Sequence, residues 1–319
     1  MYYLGIDLGG TNIAVGIVDE NHQIIARATS KTQVDTAEQV ADAMAETARE
    51  ALKSANLTLD DVPWVGLGSP GTVNRTTGII EFANNLPFRN TPMMQMLSDR
   101  LDGKRVVMEN DANAAAYGEY MAGALKGAQN AVAITLGTGV GGGVIIDGII
   151  YSGSNFAGAE LGHTVIVVGG RPCTCGRHGC WETYASATGL IKTTKEYMAD
   201  APKDSALWEI VEGDIDRVNG RTAFDAMRKG DPIGKKIVDE YIAYLSEGIV
   251  NMVNIFQPDI LCIGGGISNE RETLLAPVRD FVEKQQYAMN SAKKTVICRA
   301  ELGNDAGIIG AALLGNMEG

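Results

Sequence analysis

The 319-residue chain has no Lys/Arg-rich tract, no Pro/Ser-rich linker, and no apolar run that approaches the ~18 residues of a membrane span. Its 39 acidic side chains outnumber 27 basic ones, for a net charge of −12. That balance argues against nucleic acid or an anionic membrane as a main partner. The N-terminus, MYYLGIDLGG, lacks a basic region and runs directly into a strand pattern, so no secretory signal is expected. The chain then reads as cytoplasmic, where five cysteines argue against a disulfide framework. The nucleotide motif GxxxxGK[ST] is also absent. Gly137, Gly139 and Gly142 satisfy G-x-G-x-x-G, but a dinucleotide site needs a helix immediately afterwards. The residues that follow, VIIDGIIYSG, read as strand.

What is present is alternation. Residues 2–8, 13–18 and 24–29 read as a β-meander with a tight turn at Gly9 and Gly10. A second meander starts at residue 131, with a glycine-rich turn at 137–143, about 125 residues after the first. Helical periodicity marks 36–55, 112–122 and 232–256, and 303–315 closes the chain as a helix. Two related α/β halves facing each other across a cleft explain this repeat. The boundaries expected are 1–115 for an N-terminal lobe, completed by a C-terminal helix at 304–319, and 116–303 for a second lobe. The hinge falls near residue 115.

The glycine turn at 137–143 has backbone N–H groups that can form an anion nest; a ligand-free tight hairpin is the other reading. Asp7 stands just before Gly9, Gly10 and Thr11, so a carboxylate adjoins a second potential phosphate turn, which suits Mg²⁺ unless Asp7 merely caps the turn. Glu109-Asn110-Asp111 lies between a strand and a helix. Asn and Asp are favoured N-caps there, but a carboxylate at a strand's C-terminal end also suits a general base. The helix start is expected to keep Asp111 ionised.

The densest chemistry lies in GHTVIVVGGRPCTCGRHGCWE, residues 162–182. His163, Cys173, Cys175 and Cys180 make the Cys₃His set of a closed structural zinc site, with unpaired or redox-active thiols as the alternative. A metal gathering these four also brings Glu160 and Glu182 close together.

With these motifs in order, the chain resembles the ROK family of sugar kinases, within the sugar kinase/actin/Hsp70 superfamily. The resemblance spans nearly the whole chain: DLGGTN at 7–12, GSPGTV at 68–73, ENDANAAAYGE at 109–119, LGTGVGGG at 136–143, AGAELGH at 157–163, the cysteine loop, and GGGIS at 264–268. It implies a two-lobed, actin-like (ribonuclease H-like) fold with a sugar in the cleft and ATP on the glycine turns. Asp111 matches the family's catalytic base. Gly71, Asn110, Glu160, His163 and Glu182 match sugar-side positions, with His163 doubling as a zinc ligand. Asp7, Gly9, Gly10, Thr11, Asn12, Gly137, Thr138 and Gly139 match the phosphate side, and Gly264, Gly265 and Gly266 the adenosine turn. The implied activity is Mg²⁺- and ATP-dependent phosphorylation of a hexose, foremost glucose to glucose 6-phosphate, by a dimer or tetramer. N-acetylmannosamine, allose, fructose and N-acetylglucosamine are the alternative sugars. A sugar-sensing repressor of the family would carry a helix-turn-helix first, and with DLGG reached by residue 7 none is expected here.

Overall fold

The computed structural model describes residues 1–33 and 35–318; Gly319, the end of the expected C-terminal helix, lies outside the described residues. The first meander is formed by β1 (Tyr3–Leu8), β2 (Asn12–Val18) and β3 (Ile24–Lys31), with Tyr3 opposite Val18 and Leu8 opposite Ile13. Helix α1 (Ala37–Ser54) starts at a capping box, in which Thr36 and Gln39 satisfy each other's backbone N–H groups. It buries Val40, Met44, Ala48 and Leu52 as a 3–4-spaced stripe, and each large apolar side chain buried in this way contributes about 1.5–3 kcal/mol.

Strand β4 (Val65–Ser69) follows, and then an element not foreseen from periodicity. It is a small antiparallel sheet of β5 (Thr72–Asn74), β6 (Ile79–Phe82) and β7 (Arg89–Thr91), followed by α2 (Met93–Arg100). Strand β8 (Val106–Asn110) then runs into α3 (Asp111–Ala122). Because β4 pairs with β1 and β8 with β4, both in parallel, the first sheet has the order β3-β2-β1-β4-β8.

The second meander comprises β9 (Ala131–Leu136), β10 (Val140–Ile146) and β11 (Ile149–Ile150). The expected turn at 137–143 is therefore shorter: it ends at Gly139, and Gly141–Gly143 are strand. Glycine is needed there for packing. An added Cβ at Gly142 would press on Leu161, and one at Gly143 would overlap Ala116. The following turn has positive φ at both Asp147 and Gly148, as a two-residue type I′ hairpin requires.

After the cysteine loop the chain is helical, with α4 (Glu182–Ala185), α5 (Ala187–Asp200), α6 (Ala206–Ile210), α7 (Thr222–Arg228) and the 25-residue α8 (Pro232–Phe256). Asp231 caps α8 and Pro232 occupies its first turn, where no N–H partner is lost. Trp181 is fully buried, with its indole N–H donating to Tyr244 O at 3.0 Å and its ring over Gly248 of α8. Then come β12 (Ile260–Gly264), α9 (Glu272–Gln285), β13 (Val296–Arg299) and α10 (Ala306–Leu313). The second sheet has the order β11-β10-β9-β12-β13.

The chain divides into two compact units. The first holds Met1–Ala131, Gly143–Ala159 and Glu301–Gly319; the second holds Val132–Gly142 and Glu160–Ala300. The first unit thus extends past the boundary expected near residue 115, because α3 stays locked to α10. Their backbones approach so closely that a Cβ at Gly118 would overlap Ala306 O, and one at Gly310 would overlap Ala114 O. Helix α10 also lies directly on the first sheet, where Gly5 and Gly66 leave room for the backbone of Ile308 and Ala311. Among the described residues, no helix is long and apolar enough to cross a membrane.

Candidate functional site

In the first unit, the corner from β8 into α3 shows which residue caps the helix. Asn110 is the cap: its Oδ1 accepts from Ala112 N at 2.9 Å and Asn113 N at 3.2 Å. Its Nδ2 donates to Gly71 O at 3.1 Å, and the amide also acts on the Asp111 carboxylate. Gly71 has φ +98, and a side chain there would overlap Phe82 O, so its place in the motif is set by backbone geometry. With Asn110 capping, Asp111 becomes the first helical residue, and its Oδ1 accepts from Ala112 N at 2.9 Å.

The Asp111 carboxyl feels burial as well as the helix start. Burial pushes its carboxyl above the ordinary range, outweighing the N–H of Ala112, its own N–H and Asn110, which pull it down. A helix start alone would have held it low. A raised carboxyl suits a proton acceptor, because a base works best when its pKa lies near the working pH.

Asp7 is on β1 opposite Ala14 and beside Gly68 of β4. Burial first, then the charge of Asp111, raises its carboxyl from 3.8 to about 6. The two aspartates therefore feel each other across the end of the sheet. Gly307 of α10 has no room for a side chain against the Asp7 carboxylate. The neighbouring turn is tied by Gly9 N to Asn12 O at 2.9 Å, by Thr32 Oγ1 to Gly9 O at 2.7 Å, and by Lys31 Nζ to Asn12 Oδ1 at 2.9 Å. Thr11 and Asn12 are exposed.

Two residues here make contacts that the sequence reading did not assign. The side chain of Asn85 lies against Gly10, and nothing in its own stretch marks it out. Glu109 is fully buried and bonded on both oxygens. Burial pushes its carboxyl up, against Asn110 N–H, the Asn113 amide, Arg75 and Ser152.

In the second unit, Gly137 N donates to Gly139 O at 3.0 Å and Ala187 N to Gly137 O at 2.9 Å. Thr138 is exposed between them. A Cβ on Gly137 meets nothing within 4 Å, whereas one on Gly139 would overlap Glu182 Oε2. That same oxygen accepts from Val140 N at 3.0 Å. At the end of β12, Gly265 has φ +81 and no room for a side chain against Leu136; Gly266 is open and Gly264 borders Ala300.

The four metal-ligand candidates converge. One donor atom each from His163, Cys173, Cys175 and Cys180 lies within 4.8 Å of all the others. A tetrahedral ion with bonds of about 2.3 Å to sulfur and about 2.0 Å to nitrogen has S···S edges of about 3.8 Å and S···N edges of about 3.5 Å. Here Cys175 Sγ and Cys180 Sγ are 3.6 Å apart, and Cys173 Sγ is 3.5 Å from His163 Nδ1. The donor set and its spacing fit a metal held through Nδ1, with Nε2 left over.

The loop is closed by Cys173 N to Arg177 O at 2.9 Å and Gly176 N to Cys173 O at 3.0 Å. Gly179, at φ +81, has no space beside Val167 O for any side chain. Arg171 anchors the loop to α5 through Thr193 Oγ1 at 2.9 Å and Glu196 at 2.5 Å. Glu182 Oε1 is 3.9 Å from Cys173 Sγ, and Glu160 O accepts from His163 N at 3.1 Å. The second unit thus groups the metal set with Glu160 and Glu182, while Gly71, Asn110, Asp111 and Asp7 belong to the first.

Two α/β units built on related five-stranded sheets, with glycine turns at the strand ends and a paired-carboxylate corner, define the actin-like class of sugar kinase folds. The ROK family model matches residues 3–318, and the chain belongs to that family. It is 39% identical to a glucokinase of Thermotoga maritima, over 97% of this chain and 95% of that one. Among solved structures, a ROK family glucokinase from Streptomyces griseus in complex with glucose and AMPPNP superposes with a TM-score of 0.81 at 35% identity, covering 98% of this chain and 99% of that one. The ROK hexokinase of Thermus thermophilus also gives 0.81, at 31% identity, with 100% and 99% covered.

Proposed function

We propose that the chain is an ATP-dependent glucokinase that transfers the γ-phosphoryl group to the 6-hydroxyl of glucose. The observation that carries this reading is Asp111, a half-buried carboxylate at the strand-to-helix corner whose capping duty has passed to Asn110. The similarity to glucokinases, and to one crystallised with glucose and AMPPNP, supports glucose and ATP as the pair.

In this mechanism Asp111 takes the proton of the 6-hydroxyl as the hydroxyl oxygen bonds to the γ-phosphorus in line, and the bond from that phosphorus to the bridging oxygen of ADP breaks, so ADP leaves. Asn110, Glu160, Glu182 and the Nε2 of His163 supply the sugar contacts. The N–H groups around Gly10 and Gly137–Gly139 receive phosphate oxygens, and Gly264–Gly266 the adenosine. Asp7 is the residue that would hold Mg²⁺, which when bound neutralises charge on the phosphates.

His163, Cys173, Cys175 and Cys180 would hold a structural zinc, all four positions filled by protein. Its part is to fix the His163 ring and the chain leading to Glu182. The same reading makes the protein a cytoplasmic dimer or tetramer with no nucleic-acid partner. An ADP-release assay across hexoses and N-acetylhexosamines tests it: glucose should give the highest kcat/KM, and a preferred N-acetylhexosamine would replace glucose in the account.

A further inference from the structure

Glu109 has no solvent exposure and immediately precedes the Asn110–Asp111 corner. Donors from three segments reach its carboxylate. Oε1 accepts from the backbone N–H of Asn110 at 2.9 Å and from Asn113 Nδ2 at 3.1 Å. Oε2 accepts from Arg75 Nη1 at 3.3 Å and from Ser152 Oγ at 3.5 Å. A carboxylate shut away from water must be fully paired, so each of these donors constrains the backbone that carries it. Oε1 fixes the turn from β8 into α3. Oε2 links that turn to the β5–β6 connection through Arg75 and to the segment after β11 through Ser152.

Arg75 extends the linkage, because its guanidinium lies 6.0 Å from the ring of Phe156. Phe156 and Ala159 both adopt left-handed backbone, with φ of 61 and 63. Such conformations are costly for residues with side chains and persist where their surroundings over-determine them.

We propose that Glu109 is a positioning residue for sugar phosphorylation: its carboxylate, paired with Arg75, fixes the Asn110–Asp111 corner together with the strained Phe156–Ala159 segment. This rests on the reading of Asp111 as the base. The linkage acts on the acceptor side of the reaction, so ATP binding should be spared.

The test uses the full chain as wild type, E109A, E109Q, R75M, the E109Q/R75M double variant and D111N, with steady-state kinetics in glucose and ATP and a thermal melt of each. A small displacement of a reacting group is enough to cost about 10²-fold, so E109A should lose about that in kcat while its KM for ATP stays within about twofold. Glutamine keeps the shape and the Oε1 contacts but not the charge that holds Arg75, so E109Q should recover about tenfold of that loss. R75M should match E109Q, and the double variant should be no slower than either single, because the pair acts as one unit.

Wild-type kcat in folded E109A would overturn the proposal. So would losses that multiply in the double variant, or a loss that falls equally on both substrates. If E109A fails to fold, E109Q and R75M decide the matter by the same criteria. Full activity in D111N would remove the base assignment itself, an outcome separate from the behaviour of Glu109.

Discussion

The backbone N–H of Val140 donates to Glu182 Oε2 at 3.0 Å, and that oxygen also fills the space a side chain on Gly139 would need. A residue proposed to contact the sugar thus buttresses the turn proposed to hold phosphate. Glu182 follows Cys180 by two positions, so the metal loop and the turn are mechanically joined through it.

Substitutions at the two ends of this turn should therefore act differently. Gly139→Ala must displace Glu182, and its KM for sugar should rise. Gly137→Val places a branched group in space that is open in the protein, so it should weaken ATP binding more than sugar binding with the fold intact by circular dichroism. Paired sugar and nucleotide titrations check both; equal losses in both affinities for Gly137→Val would remove the special status of the turn.

Asp111→Asn separates catalysis from stability cleanly, since Asn110 is the cap. Thermal stability should be kept or raised, because burial works against the carboxylate that the amide replaces. Turnover should fall by roughly 10²-fold or more, because Asn cannot accept the proton. Turnover reduced to that extent without any loss of thermal stability is the expected result, and near-normal turnover would sink the assignment.

Asp7 also bears on stability. Its carboxyl rises from 3.8 to about 6, so across that window the folded chain holds a proton that the unfolded chain has released. Stability at this site therefore falls as pH rises through about 6, and it is regained on acidification. Asp7→Asn should raise stability in neutral solution by on the order of 1–3 kcal/mol, with the gain vanishing in acid below the carboxyl's ordinary range. The same variant should lose kinase activity. Thermal melts across pH check the sign, and a gain confined to acid would contradict it.

Much of this molecule was legible because its signals are local. The Gly9–Gly10 turn, the α1 stripe, the Asn110–Asp111 corner and the cysteine loop each declare themselves within about twenty residues. What stayed hidden depends on partners distant in the chain. Gly142 and Gly143 read as part of a turn because glycine usually marks one, whereas Leu161 and Ala116 require glycine in a strand. The boundary near residue 115 missed the lock between α3 and α10. Nothing beside Asn85 announces its contact with Gly10, and the burial of Glu109 appears only once Arg75 and Ser152 arrive from elsewhere.

The metal loop makes a stoichiometric prediction. Elemental analysis should find one zinc per chain, and Cys175→Ser or chelation should weaken or abolish sugar phosphorylation while ATP binding stays measurable. Metal-free wild-type protein working at full rate would leave the convergence of His163, Cys173, Cys175 and Cys180 without a role.

The most direct test of the central claim is to mix the full chain with ATP, Mg²⁺ and glucose and follow the products by phosphorus NMR, with Asp111→Asn run beside it. The account predicts ADP and glucose 6-phosphate accumulating in equal amounts with the wild type, and almost none with the variant. Phosphate on a different hydroxyl, ADP without sugar phosphate, or equal product from both proteins would contradict it.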